Sequence, residues 1–196
     1  MAAKRLTGTE RRSQLIRVGR AVFAEKGYDA ASVEEIAERA KVSKPIVYEH
    51  FGGKEGLYAV VVDREMERVI TAVSDAISNG SARDRVGAAA LAFLIYVRDE
   101  PDGFAVLSRD APANIGMASL LAEVGERVGS LFAAELKKAG YSTRAAPIYA
   151  QALIGMVTFV GQWWTEDGRD VEEVAAHVSA LAWMGLRHLP RKPERV

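Results

Sequence analysis

Apolar residues recur at three- and four-residue intervals along nearly the whole chain, and no alternating β-branched run is long enough to make a sheet. A chain patterned this way hides its apolar stripes only by packing helix on helix, so the expected fold is all-α. Its 196 residues, 49% of them hydrophobic, suffice for one large domain or a small module joined to a larger one, without covalent staples. There is no cysteine, which excludes disulfides and Cys-based zinc or iron–sulfur sites and fits a reducing compartment.

Caps and breakers divide the pattern into about nine helices. Thr7-Gly-Thr-Glu10 is a capping box that opens the first helix, whose stripe of Leu15, Ile16, Val18, Gly19, Val22 and Phe23 runs to a stop at Gly27. Ser32-Val-Glu-Glu35 is a second box, opening a short helix from Val33 to Ala40. Lys41-Val42 is a tight turn, and Ser43 caps a third helix, Lys44 to Phe51, with Pro45 in the first turn where a missing N–H costs little. Gly52-Gly53 ends it, and a long helix follows from about Lys54 to Ser78. Ser81-Ala-Arg-Asp84 opens the next, to about Arg98. Pro101 and Pro112 bracket a short helix around Phe104 to Arg109, and three long helices complete the chain at about 115–139, 143–165 and 171–188. The domain boundary is expected near the start of the long fourth helix, with a head at 1–55 and a C-terminal body at 56–196, rigidly coupled.

The apolar stretches Gly87 to Val97 and Ala152 to Trp164 fall short of the ~20 residues of a membrane span, and no span is expected. The start, Met1-Ala-Ala-Lys-Arg-Leu-Thr, lacks the apolar region of a secretory signal, so a cytoplasmic protein is expected. Asn79-Gly80-Ser81 fits a glycosylation sequon but reads as a turn.

Charge is unevenly distributed. The chain as a whole balances 26 basic against 26 acidic residues, yet residues 1–60 hold eleven Lys or Arg against eight acids. Six of those bases fall in the first 20 residues, where Glu10 is the only acid. A basic end on a neutral chain points to a polyanionic partner.

The segment from Ser32 to Lys54 sharpens that inference. Two short helices joined by a three-residue turn, with a preceding helix to pack on, form the pattern of a helix-turn-helix reader of double-stranded DNA. Val33, Ile36, Ala37, Ala40, Val42, either Ile46 or Val47, and Phe51 would hold the pair against the first helix. The outward residues of the second short helix are then Lys44, Pro45, Tyr48 and Glu49. Lys44 can donate to a guanine edge or a phosphate, Pro45 can touch a thymine methyl, and Tyr48 can donate to a phosphate. His50 and Lys54 lie just beyond, Lys54 where a helix N-terminus favours an anion.

The run Phe23-Ala-Glu-Lys-Gly-Tyr-Asp-Ala-Ala-Ser-Val-Glu-Glu-Ile-Ala37, followed by Val42-Ser-Lys-Pro-Ile-Val-Tyr-Glu-His-Phe-Gly-Gly-Lys-Glu-Gly-Leu57, resembles the DNA-binding head of the TetR family of one-component transcriptional regulators. The resemblance covers about residues 10–60, with the Gly-Tyr, Ile-Ala, Tyr-x-His-Phe and Lys-Glu-x-Leu elements in register. It implies that Ser32, Tyr48, His50 and Lys54 hold phosphates, that Lys44, Pro45 and Ile46 face bases, and that Ser43 belongs to the same surface. Glu34 stands where some members carry a base-reading Arg, and Glu49 replaces a frequent aromatic, so the operator sequence is expected to be its own. The implied activity is that of a repressor released from its operator by a small-molecule effector.

The C-terminal part offers candidates for an effector pocket, with Phe93, Tyr96, Phe104, Leu107, Met117, Leu121, Tyr149, Met156, Phe159 and Trp163 combining apolar surface with a few polar tips. Such a wall suits a largely apolar effector with an acyl or aromatic part, and Arg98 and Arg109 are the nearest fixed positive charges. Gly125 and Gly129 have the spacing of a close helix approach. Trp163 and Trp164 diverge by ~100° on a helix, so one can face the core and the other a partner subunit. With Ile148, Leu153, Val157, Val160, Val174, Val178, Leu181, Ala182 and Gly185, the last two helices are too apolar for a monomer, and the expected assembly is a homodimer through a four-helix bundle.

No catalytic signature accompanies these features. G-x-S-x-G, G-x-x-x-x-G-K and H-E-x-x-H are absent, and the three histidines, His50, His177 and His188, are scattered, so neither an enzyme nor a bound metal or cofactor is expected. The alternative in another class is a helical carrier of lipids or acyl groups, which has no reason to bind DNA with steep salt dependence.

Overall fold

The structure, a computed structural model, describes residues 6–108, 117–138, 140–165 and 167–189, and of residues 117–121, 123 and 124 the backbone only. These residues form α1 (Gly8–Ala30), α2 (Val33–Arg39), α3 (Lys44–Phe51), α4 (Lys54–Ala76), α5 (Ala82–Asp99), α6 (Pro101–Ser108), α7 (Met117–Lys138), α8 (Ala146–Trp164) and α9 (Val171–Arg187), with a 3₁₀ turn at Thr143–Ala145 and no strand among them. The all-α expectation holds. The chain divides into two compact units, one drawn from residues 1–67 and 101–117, the other from 68–100 and 118–196. The division falls within α4, between Glu67 and Arg68.

In the first unit, local chemistry sets the helix ends. The Thr7 hydroxyl accepts from the Glu10 N–H while the Glu10 carboxylate accepts from the Thr7 N–H at 2.7 Å, which closes the expected capping box. Gly27 breaks α1 with φ 77, a left-handed value that favours glycine. At α2 the box is only half formed. Ser32 accepts from the Glu35 N–H, but the Glu35 carboxylate is taken by Lys26 and Arg39, each at 2.7 Å. Ser43 holds the N-cap position of α3 without a side-chain cap bond, and Gly52, at φ 74, closes the far end by donating its N–H to the Tyr48 carbonyl. A Cβ on Gly56 would run into the Phe51 carbonyl, so the first turn of α4 needs glycine to approach the end of α3 this closely.

Leu15, Val22, Phe23, Ile36, Val47 and Leu57 are fully buried in this unit. Val47 rather than Ile46 is the residue that α3 commits to the core; Ile46 is half-buried. Phe23, Tyr28 and Tyr58 form an aromatic cluster with the Phe23 and Tyr58 rings edge to face at 5.0 Å. Pro101 does not merely interrupt the chain. It begins α6, where a residue without an N–H is tolerated, and α6 packs on α1 with the Tyr58 hydroxyl donating to the Val106 carbonyl at 3.2 Å. Burial raises the Tyr58 phenol above its ordinary pKa, with Tyr28 adding to the effect.

The second unit packs α5 along α9 and across α8. Ser81 and Asp84 form a complete capping box at the start of α5. Gly161 lets α8 approach closely, since a Cβ there would stand 3.0 Å from Phe93. Gly125 and Gly129 face Gln151, Pro147 and Ala150 of α8, in keeping with the close approach expected from their spacing. Trp164 is buried and donates its indole N–H to the Arg169 carbonyl at 2.8 Å, whereas Trp163, one residue earlier, is 55% exposed.

Candidate nucleic-acid interface

The helix-turn-helix and the end of α1 are held by three long side chains that reach backbone carbonyls. Arg12 donates to the His50 carbonyl at 2.8 Å with its guanidinium 4.3 Å above the Phe51 ring, tying the end of α3 to α1. Gln14 donates to the Ala40 carbonyl at 3.1 Å, at the turn between α2 and α3. Lys54, at the start of α4, donates to the Tyr28 and Asp29 carbonyls at 2.9 and 3.3 Å and lies over the Tyr28 ring at 4.3 Å. Lys54 therefore serves the unit's own backbone in this geometry, where the sequence pointed to a phosphate. Likewise Arg12 belongs to the fold, and Arg20 faces Glu65 at 3.1 Å, so the basic residues of the first helix are only in part a surface for a polyanion. Arg12, Gln14 and Lys54 act across 25 to 38 residues of sequence, and local spacing carried no sign of them.

The outward surface of α3 has the expected composition. Lys44, Pro45, Tyr48 and Glu49 are exposed, and Ser43 beside them is exposed with its hydroxyl outside the cap. Tyr48 lies against Gly53, whose φ of 138 favours glycine, and a Cβ there would stand 3.4 Å from the Tyr48 ring. His50 is half-buried beside Phe51, its ring centroid 6.1 Å away. Phe51 is itself half-buried under Arg12. Ser32 is half-buried, with its oxygen accepting the cap bond. Lys44 forms an ion pair with Glu34 of α2, and the hydrogen bond from Lys44 is the main reason that the Glu34 carboxyl lies below its ordinary pKa.

Residues 15–61 match the family model described as bacterial regulatory proteins of the tetR family, and residues 82–185 match the tetracyclin repressor-like C-terminal domain. The chain belongs to the TetR family. FasR, an HTH-type transcriptional activator of Mycolicibacterium smegmatis, is 28% identical over 191 residues, covering 95% of this chain and 87% of FasR. A TetR-like transcriptional regulator from Rhodococcus sp. RHA1 superposes with a TM-score of 0.75 at 27% identity, over 94% of this chain and 100% of that one. The fatty acid degradation regulator FadR from Bacillus halodurans shares the fold, with a TM-score of 0.75 at 19% identity over 95% of this chain and 100% of its own. The protein is thus a TetR-family DNA-binding transcriptional regulator, which sets aside the carrier reading.

The pocket residues expected from sequence are drawn from both units. Phe93 and Tyr96 are buried on α5 in the second unit, and Tyr149 and Met156 are half-buried on α8. Phe104 and Leu107 are buried on α6 in the first unit. The side chains of Met117 and Leu121, and Arg109, lie outside the described residues. Phe159 and Trp163 are no interior wall, being 75% and 55% exposed. Large apolar character misled there because it signals burial without saying whether against this chain or another. Arg98, the other expected charge, is exposed and bound to Asp99 at 2.7 Å.

The position of Lys54 gives a direct expectation. Lys54→Met removes two charge-assisted bonds and should lower stability by about 1.5–3 kcal/mol while leaving the salt slope of DNA binding unchanged. Thermal unfolding and a salt titration of operator affinity check this; a slope shallower by about one unit would return Lys54 to a phosphate.

Proposed function

We propose that this regulator binds its operator as a homodimer, with α3 of each protomer in a major groove, and that a small, mainly apolar effector releases it. In this reading Lys44, Pro45 and Ile46 meet base edges, Ser32, Ser43, Tyr48 and His50 meet phosphates, and Lys54 keeps the head in register. The observation that carries it is the exposed row Ser43, Lys44, Pro45 and Tyr48 on a helix whose other face, through Val47, is locked into the core.

The dimer rests on a second surface. Ile148, Phe159 and Trp163 of α8 and Leu181 and Met184 of α9 are large apolar side chains left exposed, at spacings of about one to three helical turns along their helices. Thr143–Trp164 is long and apolar enough, by length and composition, to cross a membrane, with a mean hydropathy of 1.2 over 18 of its residues. A four-helix bundle with a second copy accounts for that apolarity in a regulator that works on DNA in the cytoplasm.

The effector reading is supported by the buried aromatic rings of Phe93 and Tyr96 and the half-buried Tyr149 and Met156 in the second unit. The ligand must favour a conformer whose two α3 helices no longer match successive grooves, and α4, which begins at Lys54 and ends beyond the division between the units, is the mechanical link. Selection of genomic fragments on the immobilised protein should enrich a pseudo-palindrome, and apolar candidates should release it with coupling of about 1–3 kcal/mol. Sequence-blind binding, or release only by a polar, charged compound, would contradict the respective halves. The direction of regulation follows from a promoter reporter: we propose repression, although the relative FasR is named an activator.

A further inference from the structure

The ion pair between Glu34 and Lys44 joins the first turn of α2 to the first residue of α3, with the two side chains 58% and 52% exposed. At that exposure a pair adds little to stability, so the fold has small use for it. Its position is more telling: Lys44 is the only Lys or Arg on α3, and it stands at the outward start of the helix, beside Pro45.

We propose that Glu34 and Lys44 read one G·C base pair of each half-site as a single donor–acceptor unit, in one orientation only. This rests on the reading of α3 as the groove-facing helix. In the major groove a G·C pair presents the N7 and O6 acceptors of guanine and, across the Watson–Crick bond, the N4 donor of cytosine. O6 and N4 are a hydrogen-bond length apart, about 2.9 Å, which is also the spacing of an ammonium nitrogen and a carboxylate oxygen in an ion pair. The Lys44 Nζ can donate to O6 and N7 and keep its third N–H on Glu34. The Glu34 carboxylate accepts from the cytosine N4 and from Lys44. Neither charge is left alone when water leaves the groove, which is the condition for a desolvated ion pair to be tolerated.

The same geometry ranks the alternatives below it. A reversed pair sets the N4 donor before the ammonium and O6 before the carboxylate, so both contacts repel. An A·T pair offers the ammonium N7 alone, and thymine O4 then faces the carboxylate. A T·A pair keeps an acceptor (O4) for the ammonium and a donor (N6) for the carboxylate but sets the thymine methyl in place of guanine N7, and so is the weaker second choice. On a phosphate backbone the unit is neutral, so Lys44 contributes little to sequence-blind attraction. The hydrogen bond from Lys44 holds the Glu34 carboxyl below its ordinary pKa, which favours the charged form of the unit.

The test uses the full-length protein and its enriched operator, with each base pair of one half-site replaced or reversed in turn. Wild type should lose about tenfold or more when one particular G·C pair is reversed or replaced by A·T, and less when it is replaced by T·A. Glu34→Ala, Glu34→Gln and Lys44→Ala should each shrink the penalty at that same pair, and Glu34→Ala/Lys44→Ala should shrink it no further than either single change. Glu34→Ala should also bind unrelated duplex severalfold more tightly, with a salt slope steeper by about one unit, because Lys44 is then free for phosphate. If the two residues relax different pairs, or neither relaxes any while wild type discriminates normally, the coupled reading is wrong and the regulator stands. If wild type discriminates at no position of any duplex, the sequence-specific regulator reading itself fails, and this one with it.

Discussion

Replacing Trp163 and Leu181 together by Glu should turn the protein into a folded monomer and lower operator affinity by about 10²–10⁴. Both side chains are large, apolar and exposed in the single chain, at 55% and 68%. The substitutions therefore disturb little within a protomer, whereas each charge would have to be buried unpaired between two. A dimer engages two half-sites with the second contact made at high effective concentration, and a monomer forfeits that gain. Light scattering gives the oligomeric state and a binding isotherm the affinity. A variant that remains dimeric would place the interface elsewhere.

Arg20→Met should destabilise the protein by about 3–5 kcal/mol, the usual cost of removing one partner from a buried ion pair. Glu65 on α4 is 2% exposed and stands 3.1 Å from the Arg20 Nε on α1, so the carboxylate stays in the interior when its guanidinium goes. For a protein of this size that corresponds to a fall in Tm of roughly 6–20 °C. Arg20→Met with Glu65→Leu should recover most of the loss, since an apolar pair of similar volume replaces two desolvated charges. If the single and double variants melt alike near the wild-type temperature, the pair is not structural. The pair matters to function because it fixes α4 against the helix that carries the Arg12 and Gln14 clamps.

The sequence disclosed those features that depend on neighbours within a helical turn. Thr7 with Glu10 forms the box and Ser81 opens the helix as read from spacing alone, and Trp163 and Trp164 diverge as the helical angle requires. Where a side chain had a choice of partners, spacing was not enough. Glu35 has the right position to close a box with Ser32 but two cations within reach, and it goes to Lys26 and Arg39. Lys54 is placed like a phosphate ligand and is bound to carbonyls of a segment 25 and 26 residues earlier. The packing of α6 on α1 was hidden for the same reason, as a contact between elements some seventy residues apart leaves no local periodicity. Phe159 shows the remaining ambiguity: an apolar stripe is visible in sequence, while the choice between a ligand, the core and a second subunit is made by tertiary structure.

The central claim, that a dimer reads DNA through the outward start of α3, is tested most directly by a hydroxyl-radical footprint on the operator enriched from genomic fragments, comparing wild type with Tyr48→Phe and Lys44→Ala. The account predicts protection of two segments on one face of the duplex, related by an inverted repeat and about one helical turn or more apart. Tyr48→Phe should weaken both segments on every sequence alike, and Lys44→Ala should relax the preference at one base pair in each. Protection that does not depend on sequence, or a Lys44→Ala footprint with the wild-type ranking of altered operators, would contradict it.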